Sequence, residues 1–223
     1  MSLERPLLVI GTKRYSSWSL RAWLALKAAG IAFDEVVIAL RQPDTAAKVA
    51  AYSPSGKVPY LRDGEVSVWD SLAICEYVAE MLPGAYLWPE DRAARAVARS
   101  VSAEMHSGFP ALREHLSMDM AKTIPMPVVP EPARADIARI QLLWTDCRRR
   151  FGAASGAPKG PFLFGAFTMA DAMYAPVASR FRTYGVKLDP IPEAYVEAIM
   201  AFPAMVEWIA AAQQDPELLP LQR

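Results

Sequence analysis

Two prolines and a glycine fall in LPGAYLWPEDR, residues 82–92, and the hydrophobic rhythm of the chain changes across them. Ahead of this break short apolar runs alternate with patterns of helical spacing; behind it only helical spacing recurs. Proline and glycine end helices and central strands alike, so such a cluster separates packing units. The break divides the 223 residues into a first unit that must cover a sheet with helices and a second that must pack helix on helix.

In the first unit LLVI reads as a buried strand. Residues 17–29 read as a helix with Leu20, Trp23 and Leu24 on its apolar face and Gly30 as its stop. FDEVVIA reads as a second strand and TAAKVAAYS as a short helix. KVPYLRDGEVSVWD gives two strands turned at Asp63-Gly64, a strong hairpin signal. Residues 71–81 read as a helix with Leu72, Cys75, Val78, Ala79 and Leu82 on one side, so the order is β-α-β-α-β-β-α. In the second unit residues 92–116 read as one long helix. Ile137, Ile140, Trp144, Cys147 and Phe151 mark one face of another, which opens at Pro132 and closes on Arg148, Arg149 and Arg150 before Gly152. Those arginines complement the dipole of a last helical turn. Thr168 and Asp171 have capping-box spacing ahead of a helix that Pro176 is expected to kink, and a final helix covers residues 203–213.

Composition excludes several function classes. The hydrophobic fraction, 53%, supplies real cores, and the net charge is zero, with nine acidic and nine basic side chains in residues 1–83. Neither unit has the footprint of a nucleic-acid binder or a polybasic membrane anchor. The N-terminal stretch shows no secretory pattern and no apolar run is long enough to span a bilayer, so a cytoplasmic setting is expected. Cys75 and Cys147 lie on apolar helix faces, as free thiols in a reducing compartment would. They and the two histidines, His106 and His115, lack ligand spacing, so no metal is expected. There is no glycine-rich phosphate loop and no G-x-S-x-G element.

One stretch asks a chemical question. In GTKRYSSWSLRAWLAL the adjacent Ser16 and Ser17 stand where a strand hands over to a helix. Serine caps helix starts by accepting from an unpaired backbone N–H; the same place suits an anion, because first-turn N–H groups and the helix dipole converge there.

Four segments, in order, resemble the cytosolic glutathione transferases. SSWSLRAWLAL is similar to the SSCSWR signature of the zeta class, with Ser16, Ser17, Ser19 and Arg21 matching. SPSGKVPYL resembles the loop before the third strand, where the family's Val-Pro bond is cis. DSLAICEYVAE and FTMADAMYAP resemble the ESLAIIEYL-type and TLADI segments. The resemblance implies a thioredoxin-like N-terminal domain over residues 1–83, a linker over 84–90 and an all-helical domain over 91–223, with glutathione as co-substrate or cofactor and a homodimer as the assembly.

It also implies a site. The backbone of Val58, before Pro59, would pair with the cysteinyl part of glutathione as an added strand does. Asp70 and Ser71 would receive the γ-glutamyl end, while Lys57, and more weakly Gln42, would meet the glycine carboxylate. Ser16, by the zeta pattern, or Ser17, by alignment on Arg21 with theta-like relatives, would donate to the thiol. A free thiol has a pKa near 8.5, and such a donor lowers it. Arg21 reads as structural or as supporting the site from behind. Trp18 stands where zeta-class isomerases carry cysteine, and it offers no thiol chemistry. Trp18, Met105, His106 and Phe109 would line the pocket of an apolar electrophile. The leading expectation is a transferase. The rivals are a glutathione-dependent cis-trans isomerase of the maleylacetoacetate type and a non-catalytic module of the same fold.

Overall fold

The computed structural model describes residues 5–152 and 160–215. Residues 1–4, which open the stretch read for a secretory leader, and residues 216–223 of the expected helical domain lie outside the described residues.

The first layer is a four-stranded sheet in the order β2-β1-β3-β4. The central β1 (Leu7–Gly11) pairs in parallel with β2 (Asp34–Ile38) and antiparallel with β3 (Tyr60–Asp63), which turns into β4 (Val66–Trp69). Both faces of β1 are covered, which explains its unbroken apolar run. Leu8, Ile10 and Leu61 enter the main core, whereas Val9, Ile38 and Tyr60 pack with Val49 of α2 (Thr45–Ala50) in a smaller cluster. The hairpin turn is Gly64-Glu65, with Gly64 at φ +56°.

Helix α1 (Ser17–Ala28) is buried on nearly every side, since it packs on β1, on α3 (Ser71–Met81) and on the helical layer. The chain leaves the sheet through a 3-10 turn at Pro83–Ala85. The expected single helix over 92–116 is two: α4 (Arg92–Ser107) and α5 (Pro110–His115). Pro110 disfavours helical geometry at Phe109, which takes φ +59° instead. Gly108 ends α4 where a Cβ would stand 2.6 Å from the Glu104 carbonyl oxygen. Helix α6 (Glu131–Phe151) buries Ile137, Ile140, Trp144 and Cys147 along the expected face. Both cysteines are free and buried. Of the three arginines that close α6, Arg148 donates to the Gly160 and Phe162 carbonyls and Arg150 pairs with Asp146, 2.8 Å away.

Helix α7 (Met169–Tyr184) runs through the centre of the second layer, and Pro176 lies within it. Asp171 closes its capping box: Oδ2 accepts from the Thr168 N–H at 2.7 Å, and Oδ1 from the Leu163 N–H at 3.1 Å. Burial raises the Asp171 carboxyl to a pKa of about 6 against these favourable hydrogen bonds. Helix α8 (Pro190–Ala201) had no expectation, because Pro190 and Pro192 break the sequence pattern; both sit in its first turn, where proline is tolerated. Helix α9 (Pro203–Ala212) follows.

The two layers share one core. Trp23 of α1 meets Trp208 of α9 edge to face at 5.2 Å, and the Trp208 indole N–H donates to the Lys13 carbonyl. Arg14 and Asp119 form a buried bidentate pair at 2.7 and 3.0 Å. Among the described residues no single helix is long and apolar enough to cross a membrane.

Candidate active site

Three pieces of backbone converge at one edge of the sheet: the N-terminus of α1, the turn before β3 and the N-terminus of α3. They enclose a cleft of about 600 Å³ lined by Trp18, Ser55, Lys57, Val58, Pro59, Trp69, Asp70 and Ser71. Six of these eight were singled out from the sequence; Ser55 and Trp69 were not. Ser55 accepts from the Lys57 N–H at 3.3 Å and so shapes the loop that carries the lysine. Trp69 ends an alternating strand and carries no polar signal, yet it is 48% exposed at the rim.

The Val58-Pro59 bond is cis. Neither the N–H nor the C=O of Val58 is taken up by a hydrogen bond among the described residues. Lys57 is exposed and makes no ion pair within the same set.

Asp70 is the cap of α3, its Oδ1 accepting from the Leu72 and Ala73 N–H groups at 2.8 and 3.4 Å. It holds φ +74° and ψ 135°, a region that costs a non-glycine residue on the order of 1–3 kcal/mol and that tends to occur where a site demands it. Its second oxygen, Oδ2, lies 3.3 Å from Nε2 of His106 on α4. Beside it Ser71 is 1% exposed, and its hydroxyl, which has no partner among the described residues, borders the cleft. A buried hydroxyl without a partner is unusual in a finished fold and marks a place where a ligand supplies the missing bond.

The two serines have different lives. Ser16 is the cap of α1: its hydroxyl accepts from the Ser19 N–H at 3.3 Å and donates to Ser19 Oγ at 2.7 Å. Ser19 Oγ in turn accepts from the Gly11 N–H at 3.0 Å and ties the helix to β1. The zeta pattern points to Ser16 and the theta-like alignment to Ser17; in the structure the Ser16 hydroxyl is engaged by Ser19. Ser17 Oγ makes no hydrogen bond among the described residues, and the residue is 6% exposed; Ser16, Ser17 and His106 stand beside residues of the cleft wall, Trp18 and Asp70, without lining it themselves.

Three further expectations move. Gln42 is exposed in the loop after β2, where its N–H meets Thr45 Oγ1, and it does not line the cleft. Met105 and Phe109, 1% and 6% exposed, belong to the shared core and not to the cleft wall. Arg21 is fully buried with its guanidinium carbon 4.5 Å from the Trp18 ring centre, and Arg113 lies 4.8 Å from the same ring. Cys75 is inert, its thiol pushed up to about 12 by burial. No group of histidine, cysteine or acidic side chains among the described residues has the geometry to hold a metal ion.

A cis turn and a capped helix thus meet a serine-bearing helix start around one cleft. Models of the glutathione S-transferase N-terminal and C-terminal domains match residues 15–81 and 90–211. The chain belongs to the glutathione S-transferase family. Its sheet and first helices are the thioredoxin-like half of that fold, and α4 onward is the helical half. A glutathione transferase homolog from Burkholderia gl BGR1, solved with bound glutathione, superposes with a TM-score of 0.69 at 23% identity over 95% of this chain and all of that one. Among curated proteins, a probable maleylacetoacetate isomerase of Caenorhabditis elegans is 34% identical over 113 residues, 50% of this chain and 51% of that protein. The maleylacetoacetate isomerase of Rattus norvegicus is 32% identical over 116 residues, 51% of this chain and 53% of that one. The chain spans about half the length of the curated relatives it matches.

Proposed function

We propose that this glutathione S-transferase family member is an enzyme that binds glutathione in the cleft and presents the thiolate to a small electrophile with an apolar body. The observation that carries this reading is the unpartnered Ser71 hydroxyl at the capped start of α3, facing the unpaired backbone of Val58 across the cleft. In this reading the γ-glutamyl carboxylate takes the Ser71 hydroxyl and the Ser71 N–H, the first-turn donor of α3 that Asp70 leaves open, and Asp70 meets the amine. Val58 pairs with the cysteinyl amide as an added strand, and Lys57 attracts the glycine carboxylate. Ser17 Oγ donates to the sulfur. Its hydroxyl is uncommitted, while Ser16 holds the helix start in place. The serine attacks nothing; it favours the ionised thiol, and the cleft holds that nucleophile close to its target. Family membership also supports a cytoplasmic homodimer, which light scattering checks as twice the mass of the chain.

Calorimetric titration with glutathione, with thiolate absorbance followed against pH, tests the reading. Glutathione is expected to bind with its thiol pKa brought below about 8.5. Ser17→Ala is expected to abolish that drop and Ser16→Ala to preserve most of it. Folded protein that does not bind glutathione overturns the reading and leaves a non-catalytic module of the same fold.

The relatives favour a second reading, glutathione-dependent isomerisation, since the two curated proteins reported above are named as isomerases. In that case glutathione is regenerated in every cycle. Product formation from a cis-enone diacid without loss of glutathione distinguishes it from transfer.

A further inference from the structure

Trp18 borders the cleft on one side and a second, quite different environment on the other. Within about 5 Å of its ring stand the guanidinium carbons of Arg21 and Arg113, and the His106 ring meets it edge-on at 5.2 Å. Arg21 has no exposed surface, and among the described residues its Nε, Nη1 and Nη2 all lack a hydrogen-bond partner; Nδ1 of His106 is buried and unpartnered within the same set. Arg113 gives its N–H groups to the Met105, His106 and Gly108 carbonyls, and Arg180, also buried, donates to Leu116. None of these three arginines has a carboxylate partner among the described residues. Asp70, the acid that acts on Arg21, is already engaged with His106 and the first N–H groups of α3.

An arginine carries five donors and a charge that burial does not remove at neutral pH. Desolvation and repulsion from Arg113 and Arg180 bring the Arg21 pKa down to about 9, so the group remains a cation at pH 7. A buried cation with no counter-ion is among the costliest arrangements a fold can hold, and a leucine or methionine would fill the same volume without that cost. The position calls for an anion. A planar guanidinium fork is matched to a carboxylate; Arg21 does not line the cleft, and the Trp18 ring that does stands 4.5 Å from its guanidinium carbon.

We propose that Arg21 is the counter-ion of an acidic second substrate: a soft electrophile carrying a carboxylate, which tilts the Trp18 indole aside and pairs with Arg21 while its reactive carbon faces the glutathione sulfur. This rests on the reading of the cleft as the glutathione site. It replaces a purely apolar electrophile with one that has an apolar body and an acidic end.

Two matched haloarenes test it: 1-chloro-2,4-dinitrobenzene, which is neutral, and 4-chloro-3,5-dinitrobenzoate, which carries the carboxylate. In both, the glutathione sulfur bonds to the ring carbon, the carbon–chlorine bond breaks, chloride leaves with the bonding pair and the thiol proton goes to solvent. Each kcat/KM is divided by its uncatalysed rate constant, which removes the difference in ring reactivity. The wild type is expected to favour the benzoate by tenfold or more. Arg21→Met is expected to lose that preference, with glutathione affinity retained. Unreactive 3,5-dinitrobenzoate is expected to compete with the neutral substrate at least tenfold more tightly than 3,5-dinitrobenzamide, a comparison that needs no variant should Arg21→Met not fold. No preference in the wild type, or a preference that survives Arg21→Met, overturns the proposal. So does a loss of glutathione affinity in Arg21→Met with the preference unchanged, because the arginine would then serve glutathione itself. Folded wild type that neither binds glutathione nor turns over either arene overturns the glutathione reading, and this proposal with it.

Discussion

Ser71 and Ser16 show how similar side chains at two helix starts are put to opposite use. The Ser16 hydroxyl completes a cap and a short hydrogen-bonded chain to β1, so Ser16→Ala is expected to cost about 1 kcal/mol of stability, as loss of a serine cap does elsewhere. For a chain of this length that lowers the thermal midpoint by roughly 2–4 °C, which calorimetry resolves. The Ser71 hydroxyl has no partner among the described residues. Ser71→Ala removes a buried, unpaired polar atom, so the free protein is expected to be unchanged or more stable by up to about 1 kcal/mol. Its glutathione affinity is expected to fall roughly tenfold, the worth of one hydrogen bond to a charged group. A melting scan with and without glutathione reads both effects in the two variants. The sequence placed both serines at helix starts, and the resemblance implied a ligand contact for each. Each precedes or begins a helix, and only the neighbours in space, Ser19 for one and an open cleft for the other, separate the roles.

Among the elements, α7 depends most on one side chain. Asp171 accepts from the Thr168 and Leu163 N–H groups in a fully buried setting, so Asp171→Ala strands two backbone donors and is expected to destabilise the fold by about 2–4 kcal/mol in urea titration. The pH dependence has a definite sign. The folded-state pKa, about 6, lies above the ordinary aspartate value of about 3.9, so between these limits the folded chain holds the proton more tightly than the unfolded chain. The contribution of this group to stability therefore grows as pH falls from about 6 towards 4. The gap between wild type and Asp171→Ala widens over that window by up to about 2 kcal/mol, and urea midpoints at pH 4.5 and 7 measure it. The Thr168/Asp171 spacing made the cap legible in the sequence. The split of α4 from α5 was less so, although Gly-Phe-Pro at 108–110 carries the signal: a proline restricts its predecessor, and the glycine ahead of it avoids a backbone clash.

At the level of the molecule, α1 belongs to both layers. Trp23 against Trp208, the Arg14–Asp119 pair and the shared apolar core join the sheet unit to the helical unit. The two are accordingly expected to unfold together, with one transition and coincident near- and far-ultraviolet dichroism curves; two separated transitions would show that the interface is weak. The sequence by itself determined what depends on chain-local rules: periodicity set nearly every strand and helix, proline and glycine set the break after residue 82, and four short motifs set the family. It also named six of the eight residues that line the cleft. Only the tertiary structure decided which functional groups are free. It gave the Ser16 hydroxyl a partner, placed Met105 and Phe109 in the core and set Gln42 away from the cleft wall. It also turned Arg21 from a supporting residue into a buried charge without a counter-ion. The physical reason is that a side chain's chemistry depends on whether its hydrogen bonds and its charge are already satisfied. That is settled by groups far away in sequence, which Arg113 and Arg180 are to Arg21 and His106 is to Asp70.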